Sequence, residues 1–245
     1  MTVKDIFDFL NTRAPVDTAE SWDNLGLLVG DPRREVTRVL VALDATTGAI
    51  DTAEALGADL IVTHHPVIFA PLKRLTADSI PYRLAAAGIG VVSAHTNLDV
   101  AEGGVNDTLA ARLGLNDVTV AADGYTRIGT LPAEMTARDF AAHVAHVLDT
   151  PVRYAGEKAV TTVAVCGGAG GSFISGCVGQ ADAYVTGEVK HHEWLAYDGA
   201  INVIDAGHYA TEVPVVDTLA GWLSEAYPEL AVTVYRDGDP YSVIK

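Results

Sequence analysis

The hexapeptide ADLIVT at 58–63 returns as ADAYVT at 181–186, an offset of 123 residues in a chain of 245. Each copy is an apolar, β-branched run bounded by turn chemistry, the pattern of a buried strand. At the same offset, the strand expected at 40–43 falls on 163–166, and GIGVVSAH at 88–95 resembles AINVIDAGH at 200–208 with one extra glycine. Three matched strands in the same order predict a duplicated α/β unit. The expected fold is therefore α/β, two similar α/β halves from an internal duplication, with residues at matching strand ends meeting in a cleft between the halves.

Around these strands the local grammar is that of βαβ units. Thr2 and Asp5 flank the start of an amphipathic helix carrying Val3, Ile6, Phe7 and Leu10. In SWDNLGLLVGD at 21–31, Trp22 and the leucines argue for a buried strand or hairpin, and Asp23 and Asn24 either face a site or, the favoured reading, form an Asx-type turn before a strand at 27–29. A strand at 39–43, a helix opened by Thr46 and Thr47 and closed by Gly57, and a strand at 59–63 complete a unit with a right-handed crossover. Further helices are expected at 78–87, with Pro81 in the first turn, and at 105–113, and a strand at 90–94. Between 116 and 154 the pattern loosens to a strand at 128–131, a helix at 136–148 and a short strand near Val152. The expected division is 1–115 for the first half, 116–155 for a connecting or edge segment, and 156–245 for the second half.

Charge and cysteine usage narrow the function classes. Against 16 Lys and Arg stand 32 Asp and Glu, a formal charge of −16, which argues against nucleic acid or an anionic membrane as partner. No stretch is long enough to span a bilayer, and the opening MTVKDIFDFL interrupts its apolar pattern with acids, unlike a signal peptide. Cys166 and Cys177 stand without a CxxC neighbour and read as reduced, packed thiols. A cytoplasmic protein is expected.

Strand exits are where open α/β sheets keep their sites. LIVTHHP at 60–66 places His64 and His65 at such an exit, SAHTNLD at 93–99 delivers His95 and Asp99 to another, and GHYATE at 207–212 offers His208 and Glu212. The HH pair alone fits metal ligands, a base with its orienting neighbour, or one packed and one solvated histidine. On a helix, positions i and i+4 share a face, so His208 and Glu212 can converge on one ion. Together His64, His65, Asp99, His208 and Glu212 are a mixed nitrogen and oxygen set suited to zinc, iron, manganese, cobalt or nickel more than calcium. Adjacent histidines point in different directions, which fits two divalent ions per chain and predicts metal-assisted hydrolysis. His95 is the candidate for proton transfer, ligand orientation or substrate contact. Asp44, Glu188, His191 and His192 are weaker pocket candidates, and His143 and His146 read as ordinary helix surface. The glycine-rich VCGGAGGSF at 165–173 lacks both the GxGxxG spacing and a GK[ST] ending, leaving a phosphate nest or close packing between the halves.

SWDNLGLLVGD, LIVTHHP, SAHTNLD, VCGGAGGS, TGEVKHH and GHYATE together resemble the NIF-three-like family, dinuclear-metal-centre hexameric proteins also labelled GTP cyclohydrolase 1 type 2 homologs. The matches run from Ser21 to Glu212, and the chain resembles the short form that lacks an inserted middle domain. The resemblance implies a toroidal homohexamer with a two-ion site inside the ring, held by His64, His65, Asp99, His208 and Glu212. It implies a metal-dependent hydrolase of a small nucleotide or phosphorylated substrate, with GTP cyclohydrolase-like ring opening as one version. The alternative is a metal-binding regulatory or scaffold protein without turnover, which engages a protein partner.

Overall fold

A computed structural model describes residues 1–242. The chain opens with α1 (Val3–Arg13), β1 (Gly26–Val29), β2 (Arg38–Ala42), α2 (Thr47–Leu56), β3 (Leu60–Thr63), α3 (Ile80–Ala87), β4 (Gly90–Ser93) and α4 (Thr96–Val100). It continues through α5 (Val105–Arg112), β5 (Asn116–Val120), β6 (Arg127–Met135), α6 (Ala137–Val147), β7 (Arg153–Ala155), β8 (Val160–Cys166), α7 (Ile174–Cys177), β9 (Ala183–Thr186), α8 (His191–Ala196), β10 (Asn202–Asp205) and α9 (His208–Glu212). It closes with α10 (Val215–Ala226) and β11 (Ala231–Val234). Among the described residues no helix is long and apolar enough to cross a membrane.

The chain forms two compact units, one built from Met1–Glu102 together with the stretch from Val215 onward, the other from Gly103–Pro214. These bounds differ from the division at 115 and 155 expected from sequence. β11 pairs in parallel with β2, which takes the C-terminal strand into the first unit's sheet. The segment 116–155 is no connector either, because β5, β6 and β7 all belong to the second unit's sheet.

The first sheet has the order β1-β4-β3-β2-β11 and the second β5-β6-β8-β9-β10-β7. Each contains three parallel strands in the same order, β2-β3-β4 and β8-β9-β10, with an antiparallel strand beyond the last of them, β1 or β7. The duplication is thus present, with one slip. Thr63 pairs with Ala42 and Thr186 with Cys166, so Ala42 corresponds to Cys166 and the connection between the two strands is one residue shorter in the second unit.

The central strands are buried on both faces, as parallel strands covered by helices must be. In the first unit Leu40 and Ala42 pack with Ala49, Ile50 and Leu84, while Val39 and Val41 on the opposite face are also buried. In the second, Val163 and Val165 pack with Leu109, Phe140 and Val144, and Ala164 and Cys166 pack with Ile174, Cys177 and Tyr184. The helix ends follow their local chemistry. Thr2 and Asp5 form a reciprocal capping box on α1, Thr46 and Thr136 cap α2 and α6, and Gly57 ends α2 in the left-handed region at φ 63°.

The repeated aspartate has one structural role in both copies. Asp59 Oδ2 accepts from the backbone N–H of Thr37 and Arg38, at 2.9 and 3.2 Å. Asp182 Oδ2 accepts from those of Thr161 and Thr162, at 3.0 and 2.8 Å. Each carboxylate therefore ties down the beginning of the neighbouring parallel strand. Partial burial opposes ionisation of Asp59, but the bonds from Thr37, Arg34 and Arg38 outweigh it and hold the carboxyl below its usual 3.8. A depressed folded-state value means stability that is fully present above the usual carboxylate range and is lost as pH falls through the lower folded value. Urea midpoints at pH 7 and pH 3 should show this fall in the wild type and a smaller one in Asp59→Asn. At pH 7 that variant should be less stable by about 1–2 kcal/mol.

Candidate metal centre

In the first unit, His64 and His65 follow β3 directly, in a turn fixed by Thr63 and Ser93. Thr63 Oγ1 donates to the His65 carbonyl at 2.8 Å, lies 2.8 Å from Ser93 Oγ, and Ser93 Oγ donates to the same carbonyl at 3.3 Å. The His64 side chain is fully buried, with Nδ1 2.9 Å from the carbonyl of Ala94. His65 Nδ1 lies 2.8 Å from Asp44 Oδ1, and His95 Nδ1 lies 2.8 Å from Asp23 Oδ1. A carbonyl or carboxylate oxygen only accepts, so the hydrogen-bond network assigns the Nδ1 proton in all three rings and puts the ligating lone pair on Nε2.

These three imidazoles form one group. Their ring centroids are 4.8 Å (His64 to His65), 5.2 Å (His64 to His95) and 5.6 Å (His65 to His95) apart. One ring nitrogen from each lies within 4.8 Å of the others, close enough to hold a metal ion. Asp99, in α4, places Oδ1 3.6 Å from His64 Nε2. The geometry thus gathers His64, His65, His95 and Asp99, and it makes His95 a candidate ligand as well as a candidate proton carrier.

In the second unit, α9 begins at His208 immediately after Gly207, whose φ is 82°. His208 Nε2 lies 2.9 Å from Glu212 Oε2 across one helical turn, and His208 Nδ1 lies 2.7 Å from Glu188 Oε1. The spacing of four that was weak as a motif is therefore a facing pair here. Glu212 is buried, at 5% exposure. The glycine run packs onto this pair, inside the second unit. A methyl group at Gly168 would overlap Glu212 Oε1 and come 3.1 Å from His208 Nε2, and one at Gly187 would come 2.6 Å from His208 Cα. The amides of Gly167 and Gly168 already donate to Asn106 and Thr211, at 2.8 and 3.0 Å, which removes them from any phosphate nest. The run is a cradle for a carboxylate side chain.

Three acidic side chains orient the candidate ligands, and sequence reasoning weighed them too lightly. On sequence alone Asp44 and Glu188 are weak pocket candidates, and Asp23 reads first as a turn residue and only second as one facing a site. Asp23 does accept from the Asn24 amide at 2.8 Å, yet its covered carboxylate also accepts from Thr96 Oγ1 at 2.6 Å and from the Thr96 amide at 3.1 Å, besides holding His95. Burial pushes its carboxyl up, but the bonds from Thr96 and His95 prevail and hold it below the usual value. Trp22, expected to be buried, is 59% exposed. His191 and His192 are exposed at the start of α8, and His143 bonds the Leu113 carbonyl at 3.1 Å from the side of α6.

The donor chemistry fits a divalent transition metal. Imidazole Nε2 atoms whose Nδ1 protons are held by oxygen acceptors, with the partly exposed Asp99 carboxylate near His64 and the buried Glu212 carboxylate against His208, are the usual surroundings of such an ion.

Comparison with known proteins agrees with this architecture. A family model described as Duf34/NIF3 (NGG1p interacting factor 3) matches residues 1–240. A Streptomyces coelicolor protein named GTP cyclohydrolase 1 type 2 homolog is 36% identical over 245 aligned positions, covering 91% of this chain and 86% of that protein. A Clostridium perfringens protein of the same name is 34% identical over 232 positions, covering 88% of each. Among solved structures, Staphylococcus aureus protein SA1388 superposes with a TM-score of 0.93 at 30% identity, over 100% of this chain and 99% of that one. Reduced HcgD from Methanocaldococcus jannaschii superposes with a TM-score of 0.84 at 31% identity, over 96% and 97%. By fold, by matched length and by sequence, the chain belongs to the Duf34/NIF3 family.

Proposed function

We propose that this chain is a divalent-metal-dependent hydrolase with a dinuclear centre, acting in the cytoplasm on a small nucleotide or phosphorylated substrate. His64, His65, Asp99, His208 and Glu212 are the proposed ligands. The observation that carries the reading is the group of three imidazoles whose Nδ1 protons are each held by an oxygen acceptor. Structural histidines have no need of a common orientation, whereas metal ligands do. The name shared by the relatives, GTP cyclohydrolase 1 type 2 homolog, supports hydrolytic opening of a purine ring as one version of the reaction. A toroidal homohexamer is the proposed assembly.

When bound, the ions supply Lewis acidity that makes water nucleophilic near neutral pH. The protein's own groups do the rest. His95, held through Nδ1 by Asp23, presents Nε2 to accept the proton of the attacking water and return it to the leaving group. Asp23 stabilises the imidazolium formed in between, and Asp44, Glu188 and the Ala94 carbonyl keep the remaining rings from turning.

Protein purified without chelator should carry about two ions per chain by elemental analysis and hydrolyse at least one member of a panel of nucleotides and phosphoesters. Less than one ion per chain sinks the reading. The family description names an interacting factor, which favours a second reading as a metal-binding scaffold without turnover. Metal retention with no hydrolysis across the panel, together with a bound protein partner, would support the scaffold instead.

A further inference from the structure

Two large aromatic side chains of the first unit stand in solvent beside the imidazole group and have no part in the metal centre. Trp22 is 59% exposed and Phe69 is 57% exposed. Their ring centroids lie 5.9 Å apart at an interplanar angle of 56°. Each also lies 6.3 Å from the His95 ring, at 76° for Trp22 and 83° for Phe69. The three rings therefore form a corner, with two apolar faces and one imidazole wall.

The corner is held in place by the residues next to it. Asp23, following Trp22, accepts from His95 Nδ1 and from Thr96. Asn24 donates its side-chain amide to the carbonyl of Ile68, the residue before Phe69. Asp23 and Asn24 thus tie Trp22, the segment carrying Phe69 and His95 into one arrangement, and the rings are presented without needing a ligand to order them. Aromatic faces kept in water beside a polar group are suited to a flat, π-bearing ligand, because stacking gains surface contact while a ring edge meets the polar wall. A protein or a second copy of the chain seated on the corner would close off the imidazole group that the rings border. A small ring would fill the corner and still present its bonds to that group.

We infer that Trp22 and Phe69 bind a planar heteroaromatic ring of the substrate and hold it against His95. This rests on the hydrolase reading above and adds the class of substrate, a molecule whose scissile bond lies in or next to a nucleobase-like ring. Trp22 and Phe69 are specificity residues, acting on binding through stacking, while His64, His65 and His95 keep their roles.

The test uses the whole chain purified without chelator, with GTP and inorganic triphosphate as separate probes in titration calorimetry. Trp22→Ala and Phe69→Ala should each weaken GTP binding roughly tenfold or more. Trp22→Phe should restore most of it, because a ring is restored. Triphosphate binding and metal content should match the wild type in all three variants. The inference falls if the wild type binds no GTP, if the alanine variants bind GTP as the wild type does, or if both probes weaken together. It also falls if Trp22→Ala changes the particle mass by light scattering while GTP affinity stays intact. Ring-dependent GTP binding by protein that holds no metal would keep the aromatic corner and overturn the metal centre. Normal metal uptake with ring-independent binding would do the reverse.

Discussion

Alanine at Gly168 is expected to abolish metal uptake by the second unit's ligand pair and to lower stability by about 2 kcal/mol or more. Two independent costs combine. Gly168 has φ +57°, in the left-handed region where a Cβ is strained, and the added methyl would overlap Glu212 Oε1 and lie 2.9 Å from Glu212 Cδ. Glu212 is buried and cannot swing into water, so its carboxylate must leave His208. Gly57→Ala separates the two costs, because Gly57 has φ +63° and nothing within 4 Å of the added methyl. Chemical unfolding should show the backbone penalty in both variants, whereas metal analysis should show a loss in Gly168→Ala alone. Equal metal content in the two would mean that the cradle does not position Glu212.

Asp23→Ala is expected to cost about 2–4 kcal/mol, large for a residue in a surface turn. The change removes a carboxylate that accepts from His95, the Thr96 amide, the Thr96 hydroxyl and the Asn24 amide, and it leaves covered donors without an acceptor. Asp23→Asn is the informative companion, since an amide oxygen can still accept but carries no charge. The asparagine variant should keep most of the stability in a urea titration. Both variants should keep wild-type metal content and lose hydrolysis roughly 100-fold or more, as expected when the group orienting the proton-transferring imidazole is altered. Undiminished hydrolysis in Asp23→Ala would take His95 out of the proton-transfer role.

Much of this was legible in the sequence because it is local. The parallel strands β2, β3, β8 and β9 are short apolar runs with both faces buried, so they stand out as uninterrupted β-branched segments, and their repetition follows from the same packing. His64 and His65 stand out as candidates because they follow β3 directly, and His208 because it opens the helix just after β10. What sequence could not show is distant. β11 joins β2 through pairing of Ala231 with Arg38, and nothing in an isolated four-residue strand says which sheet it will enter. β5 is exposed along its whole length, and its Val118 and Val120 are too few to stand out as an apolar run, so 116–155 reads as a connecting or edge segment. The side chains that fix the imidazoles also come from far away in sequence: Asp23 is 72 residues from His95 and Asp44 is 21 from His65. An Asp or Glu in a turn carries no local mark of such a duty.

The first unit is made from the two ends of the described chain, and the second is one uninterrupted stretch between them. On a ribosome, which delivers the N-terminal end first, this reverses the order in which the units can be completed. The strands β1 to β4 emerge early but must wait for β11 and for α10, whose Val215, Val216, Leu219 and Leu223 are all buried. Everything the second unit needs, from α5 to α9, has been made before α10 emerges. The later-encoded unit can therefore close first, while the earlier one keeps β2 with an open edge until the last strand arrives. During that interval the nascent chain presents an unpaired, apolar strand edge, the kind of surface on which aggregation starts.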